Sequence, residues 1–597
     1  MKSPSYDHNP EAKINWKVFR LIAPFLVEHR ARISFALTCL VASKGASVAA
    51  PFVLKHIIDD LSIDGVSDLL LVPLALIVAY GFARFSMILL GEIRDTIFGR
   101  VTERATRQIG LKVFKHLHNL DLEFHLERRT GGLSRDIERG INGISFLMRF
   151  FVFNIVPTLL EILFVAGLLF YNYGPSFAVI ILLAVTAYIS FSLATTDWRT
   201  QFVRQTARAD SEANTICIES LLNYETVKYF TNEEYEAGRY DHSLGKWESA
   251  KRKDRLSLLG LNSGQALIIS VAMILLMWLA AERVQDRTMT IGDFVLINAF
   301  MVQLFMPLNF LGWVYREIKG WSANIENMFA LMEVKPKLDN LTDSPDLAIT
   351  RGIVRFDEVS FGYNDNRPIL RKISFSMMPG QQTAIVGASG AGKSTLIKLL
   401  FRFYDPDSGR VLIDNQDITE ISIESLRKIV GIVPQDAVLF NDTILENIRY
   451  GCPRASDEEI FRAIELAHLT DFIATLPGGL DTIVGERGLK LSGGEKQRIT
   501  IARTLLKNPT IIIFDEATSS LDSKSESMIS AALRDISKNR TCIVIAHRLS
   551  TIVNADQILV LKNGSVLENG THAKLLGLNG HYHELWQIQA HQQMAKV

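Results

Sequence analysis

Residues Leu491–Asp522, LSGGEKQRITIARTLLKNPTIIIFDEATSSLD, hold three chemical features in one short segment. LSGGEKQ (Leu491–Gln497) is a Gly-rich turn feeding a helix, and its backbone N–H groups and helix N-terminus suit an anion. IIIF (Ile511–Phe514) is a short apolar run with the look of a strand buried on both faces. Asp515 and Glu516 sit at the C-terminal end of that strand, where α/β sheets collect their ligands.

A second motif upstream supplies what the carboxylates act on. GASGAGKST (387–395) matches the phosphate loop G-x-x-x-x-G-K-[ST] through Gly387, Gly392, Lys393 and Ser394. An apolar strand (Thr383–Val386) precedes it and a helical run (Leu396–Leu400) follows, which is the context the motif requires. Its glycines, Gly390 among them, let the backbone at Ser389 and its neighbours wrap phosphate oxygens, down to Thr395. Lys393 places a cation at the β and γ phosphates, and the Ser394 hydroxyl is positioned to ligate Mg²⁺. The domain that begins near Gly352 thus reads as an ATP-binding α/β unit, spanning 351–597.

The other half of the chain is of a different kind. With 597 residues several domains are expected, and 48% apolar content is high for a soluble enzyme. Basic and acidic residues balance at 64 each, so bulk charge gives no argument for nucleic-acid binding. Cys39, Cys217, Cys452 and Cys542 form no CxxC pair and support neither a disulfide framework nor a zinc site. The first residues lack a signal-peptide pattern and carry Asp7 and Glu11, which weighs against a transit peptide.

Six apolar segments, at 32–57, 69–93, 146–172, 175–197, 259–281 and 291–315, approach or exceed the roughly 20 residues a membrane-crossing helix needs. The 58–67 and 171–175 loops carry no Lys or Arg, whereas 94–145 and 198–258 are rich in both, so the long loops and both termini face the cytosol or matrix. The loop with Arg283 and Arg287 is basic and external, an exception. Ile97, Val101, Ala105, Ile109, Val113 and Leu117 recur every four residues, so the second span is expected to continue as a helix into the cytosol. It is expected to turn near 121–132 and return as the third span, with the fourth and fifth doing the same around 221–232. Tyr224, Tyr229 and Phe230 suggest a docking surface at that second tip, against a plain helical stalk. Ahead of the spans, 1–31 is a cytosolic segment in which Trp16–Val27 reads as an amphipathic surface helix or a soluble lead-in. The spans occupy 32–318, and a polar, Pro-bearing linker lies within 319–350.

Polar residues inside spans are costly and usually face a cavity or a partner. Glu161 lies midway through the third span; Asn262, Ser263 and Gln265 open the fifth; Gln303 and Asn309 lie in the sixth, with Arg316 and Glu317 after it. For the amides, interhelical hydrogen bonds compete with ligand contacts.

The phosphate loop, the LSGGEKQ turn and the Asp515-Glu516 pair together resemble an ATP-binding-cassette (ABC) ATPase. The resemblance implies further roles. Gln435, in Val433-Pro434-Gln435, resembles the Q-loop residue that reaches the metal near the membrane-domain contact. Asp515 resembles the aspartate that holds Mg²⁺ through water, and Glu516 the catalytic base or water-positioning carboxylate. Asp522, in Ser520-Leu521-Asp522, resembles the D-loop, His547 the switch histidine at the γ-phosphate, and Tyr363 the aromatic that stacks on adenine. In that family the signature residues Ser492, Gly493 and Gly494 close over nucleotide on a partner copy. One phosphate loop and one signature per chain therefore imply a homodimer, or a heterodimer with a sister half, holding two ATP and Mg²⁺.

The whole resembles an ABC half-transporter of the exporter type. The fold this implies is a six-helix transmembrane domain with long cytosolic helix extensions (the type IV exporter fold), fused to an α/β P-loop nucleotide-binding domain. LLNYETVKYFTNEEYEAGRYD (221–241), MPLNFLGWVYREI (306–318), LDLEFHLERRTGGLSRDIERG (120–140) and NSGQ (262–265) look like the ATM-type exporters of mitochondria and their bacterial relatives. These are associated with export of glutathione-linked compounds, in iron–sulfur maturation or metal detoxification. The resemblance places the pocket residues at Asn262 and Gln265, and at Tyr188, Ser192 and Arg199. A second basic residue is expected one turn after Arg199, where this chain has Val203, with Arg204 beside it. Export of glutathione derivatives is the leading expectation, with lipid or multidrug export and an ATP-gated regulator or channel as alternatives. A bacterial inner membrane is favoured over a mitochondrial one. His572, His581, His583 and His591 read as a solvated or packed helix rather than a metal site.

Overall fold

The computed structural model describes residues 28–61, 71–127, 130–308, 311–338, 344–364, 367–485, 488, 491–516, 540–546 and 549–594. The N-terminal surface helix of the sequence reading, as well as Ser520, Asp522 and His547, lies outside them. The chain divides into two compact units at Lys335/Pro336.

The first unit is all helix. In chain order it holds α1 (Arg30–Leu61), α2 (Leu71–His118), α3 (Leu122–Glu127), α4 (Thr130–Phe150), α5 (Val156–Tyr173), α6 (Pro175–Leu222), α7 (Tyr224–Tyr229), α8 (Glu233–Gln285), α9 (Ile291–Leu308) and α10 (Leu311–Glu333). A single π-helical turn, Phe151–Ile155, joins α4 to α5, so the third span is one continuous helical run. Among the described residues, six helices are long and apolar enough to cross a membrane. At 1.5 Å per residue, 48-residue α2 and α6 reach about 72 Å and 53-residue α8 about 80 Å, against a hydrocarbon core of about 30 Å. More than half of each must therefore stand outside the hydrocarbon core. The stripe expected to line the second extension does so: Val101, Ala105, Ile109 and Val113 are at most 1% exposed, and the last three share a core with Ile144, Leu147, Ile325 and Met328. Beyond α9, α10 carries helix to Glu333, into the stretch expected to be a linker.

In the second unit two sheets meet. β1 (Val354–Asn364), β2 (Arg367–Met377), β4 (Ser408–Ile413) and β5 (Gln416–Asp417) form an antiparallel sheet in the order β2-β1-β4-β5. The larger sheet runs β10-β9-β3-β8-β7-β6, built from β3 (Gln382–Gly387), β6 (Val430–Val433), β7 (Ile511–Asp515), β8 (Thr541–Ile545), β9 (Gln557–Lys562) and β10 (Ser565–Gly570). Its central pairs are parallel and only β10 is antiparallel. The continuous apolar runs follow from this position, because alternate side chains enter two separate cores. Ile512, Phe514, Cys542, Val544, Ala384 and Val386 fill one; Ile511, Ile513, Ile543, Ile545 and Ile385 fill the other.

Candidate functional site

Parallel pairing puts the C-terminal ends of β3, β8, β7 and β6 on one edge of the sheet. Ile385 pairs with Ile545, Val544 with Phe514, and Phe514 with Val433. Gly387, Asp515, Glu516 and Gln435 therefore leave their strands side by side. From Gly387 the chain turns into α11 (Lys393–Leu400). The turn depends on glycine at Gly392, whose φ is 104° and where a Cβ would lie 2.5 Å from Leu370. The loop residues Ser389 and Gly390 are exposed, as is Ser394, while Thr395 is buried. Lys393 is buried, and its Nζ donates to the carbonyl oxygens of Gly387 and Ala388 at 2.7 and 3.2 Å. Burial pulls the Lys393 pKa down, while the carboxylates of Glu516 and Asp515 oppose the shift.

Glu516 has φ +50°, an unusual conformation for a side-chain-bearing residue at a strand end. Its N–H donates to Ile545 O at 3.0 Å, which clamps the backbone of Glu516 against β8. Other described non-glycine residues share such a φ, so what marks Glu516 is its place at the end of β7, on the edge where the phosphate loop also lies. Tyr363 is 39% exposed; its hydroxyl lies 3.3 Å from Thr395 Oγ1, and Lys398 Nζ sits 5.1 Å from its ring centre. An accessible aromatic face beside the phosphate loop is what stacking on adenine needs.

The signature opens α12 (Gly493–Leu506) through a capping box. Ser492 Oγ accepts from Glu495 N, and the Glu495 carboxylate accepts from Ser492 N at 2.8 Å. Ser492 and Gly493 are exposed and Gly494 is buried. The same helix holds the Q-loop strand: Gln497 Nε2 donates to Pro434 O at 3.1 Å and Thr504 Oγ1 to Ile432 O at 3.0 Å. Oxygen donors from Ser394, Gln435 and Asp515 make up a hard set that fits Mg²⁺ and not a soft metal.

Within the spans, four residues of α6 form one buried face. Tyr188, Ser192 and Thr196 are 0% exposed and Arg199 is 2%. Against it lies α8: Gln265 Nε2 donates to Ser192 Oγ at 2.8 Å, and Arg199 donates through Nε to Ser257 Oγ at 2.9 Å and through Nη2 to Asp254 Oδ1 at 3.0 Å. The Tyr188 ring centre is 6.4 Å from that of Phe305 on α9. Tyr188, Ser192, Arg199 and Gln265 are thus brought together, while Asn262 is exposed in the single chain. Thr196, Asp254 and Ser257 were not anticipated from sequence; Asp254 was masked by the basic run Lys251-Arg252-Lys253 around it.

Buried Glu161 is paired, with half-buried Lys44. Lys44 Nζ is 2.6 Å from Glu161 Oε2, and Ser47 and Gln303 both donate to Oε1. The tip residues Tyr224, Tyr229 and Phe230 are 58–77% exposed. Near the C-terminus, on α13 (His581–Met594) and just before it, three of the histidines are occupied locally: His572 Nδ1 with Tyr582 OH at 2.8 Å, His581 with Glu584, and His583 with Leu576 O. Among the described residues there is no metal-holding group of His, Cys, Asp and Glu.

Six apolar helices fused to a phosphate-loop domain with a signature helix define an ATP-driven ABC exporter, and the comparisons agree. Residues 33–308 match the family model "ABC transporter transmembrane region" and 370–519 match "ABC transporter". The chain is 46% identical over 590 residues to "Iron-sulfur clusters transporter atm1, mitochondrial" of Aspergillus fumigatus, covering 97% of this chain and 81% of that protein. It is also 46% identical to "Iron-sulfur clusters transporter ABCB7, mitochondrial" of Oryzias latipes, covering 94% and 77%. A solved structure, "Structure of a bacterial Atm1-family ABC exporter with ATP bound", superposes with a TM-score of 0.82 at 45% identity, covering 94% of this chain and 98% of that one. The chain belongs to the Atm1/ABCB7 family of ABC half-transporters. It is a multi-pass membrane protein that hydrolyses ATP to drive export.

Proposed function

We propose that the cargo is a glutathione-linked or related thiol compound, and that two copies of this chain form the transporter. The observation that carries the cargo reading is Arg199. A guanidinium 2% exposed at the inner end of a span is expensive, and it is retained where an anion is to be bound. Glutathione offers two carboxylates, and a carboxylate is what a guanidinium binds bidentately. Gln265 and Ser192, hydrogen-bonded two turns above Arg199, and exposed Asn262 add amide and hydroxyl groups suited to a peptide backbone.

In the nucleotide domain, the phosphate loop and Lys393 hold the β and γ phosphates, and Tyr363 stacks on adenine. Ser394, Gln435 and Asp515 would hold Mg²⁺, which when bound neutralises phosphate charge. Glu516 takes a proton from the attacking water and aligns it, and His547 contacts the γ-phosphate. Ser492, Gly493, Gly494 and Asp522 complete the site on the partner copy. Ser492 and Gly493 are exposed, which leaves them open to a partner copy.

The test is ATPase activity of the reconstituted protein across glutathione, glutathione disulfide, metal–glutathione complexes and lipids. Saturable stimulation by a glutathione compound is expected. Stimulation by lipids or apolar drugs alone would favour a lipid or multidrug exporter instead.

A further inference from the structure

Arg199 is only partly used by its own chain. Its Nε–Nη2 edge is filled by Ser257 Oγ and Asp254 Oδ1, and Ser257 Oγ in turn donates to Asp254 O at 2.6 Å, which fixes that edge. Among the described residues, buried Nη1 of Arg199 and buried Oγ1 of Thr196 meet no hydrogen-bond partner. Thr196 and Arg199 are three apart on α6, hence neighbours on one helix face. Leaving a buried donor unpaired is costly, so two within one turn of helix mark a place where an acceptor belongs.

We propose that Asp254 is a specificity-determining residue: an internal counter-ion that shares Arg199 with a carboxylate of the cargo. The inference rests on the cargo reading given above. The cargo carboxylate takes Nη1 and the second N–H of Nη2, and Thr196 donates to it. Asp254 stays on the first N–H of Nη2. Its charge keeps the pocket neutral when no cargo is bound, and it weakens the hold on an anion so that the anion can leave. This also accounts for Val203, because the acidic neighbour does by partial repulsion what a second basic residue would undo. An Asp is suited to this role because its carboxylate is 20% exposed while the guanidinium is 2% exposed, so the pair is held on the arginine side and open on the acid side.

Stimulation of ATPase activity by glutathione disulfide, and by its ethyl ester lacking carboxylate charge, is measured for wild type, Asp254→Asn and Asp254→Glu in proteoliposomes. Asn retains an acceptor for Nη2 but not the charge. Its half-saturating concentration for glutathione disulfide should fall about five-fold, with lower maximal turnover, since a competing charge-assisted contact has been weakened. The ester should show no such change, and Asp254→Glu should restore wild-type half-saturation, which a merely misfolded variant cannot predict. An unchanged or raised half-saturation in Asp254→Asn, with wild type responding to glutathione disulfide, overturns this role alone. No response in any of the proteins overturns the cargo reading, and this role with it.

Discussion

Lys44 Nζ and Glu161 Oε2 are 2.6 Å apart, joining the first span to the third within the apolar part of the bundle. Glu161 is 2% exposed and is also the acceptor for Ser47 and for Gln303 of the sixth span. Three helices therefore meet on one carboxylate. Removing one partner leaves an uncompensated buried charge, which typically costs about 3–5 kcal/mol, whereas removing both is far milder. Lys44→Met and Glu161→Gln should each lower the thermal midpoint of the detergent-purified protein markedly. The double variant should recover much of the loss. Additive losses in the double variant would mean that the pair is not coupled.

Glu516→Gln tests the chemistry at the end of β7. The amide is nearly the same size and leaves the φ +50° backbone and its bond to Ile545 O in place. It cannot take a proton, so turnover should fall by about 10²–10⁴-fold while ATP binding persists. The measurement is steady-state hydrolysis beside nucleotide affinity; turnover near wild type would remove Glu516 from the role of base.

Assembly of each site from two chains makes a prediction that does not depend on cargo. Lys393→Ala disables a phosphate loop, and Gly494→Asp disables a signature whose Gly494 is buried under the capping turn. Either homodimer should be inactive. A mixed dimer of the two carries one site with both halves intact, and co-reconstitution should restore measurable hydrolysis. If the signature acted on its own chain, no mixture would recover activity.

Much of this was legible in the sequence because the physics is local. A phosphate loop needs Gly392 at positive φ next to Lys393, and the sheet's parallel interior forces runs such as IIIF before Asp515. Span number and the continuation of α2 beyond the membrane followed from apolar length and a four-residue stripe. The pairings across long separations were not legible. Lys44 stands out as a cation in an apolar run, yet nothing local says that its partner is 117 residues away. Arg199 and Asp254 are 55 apart, and only the antiparallel packing of α6 on α8 decides that they meet. For the same reason Asn262 and Gln265, three residues apart, separate into an exposed and a buried side chain once the helix face is fixed.

Asp414 governs how the second unit responds to acid. Its φ is +48°, and its carboxylate accepts from four consecutive backbone N–H groups, those of Thr350, Arg351 and Gly352 on Oδ2 and of Ile353 on Oδ1, at 2.8–2.9 Å. This ties the start of the domain to the turn after β4. Burial would raise the pKa of Asp414, but the four N–H donors outweigh it and hold the carboxyl well below its usual range. A carboxyl depressed in the folded state contributes stability that is fully present above its unfolded pKa of about 3.9 and is lost as pH falls through the folded value. Wild-type stability should therefore lose this contribution on acidification below about pH 4. Asp414→Asn tolerates the same backbone conformation, since Asn is common at positive φ, but removes the charge. It should cost on the order of 2 kcal/mol at neutral pH, the scale of hydrogen bonds to a charged group, and the gap to wild type should narrow at acid pH. Thermal midpoints of both proteins between neutral and acid pH measure it. A gap that stays constant across that range would show that the four donors do not depend on the ionised form.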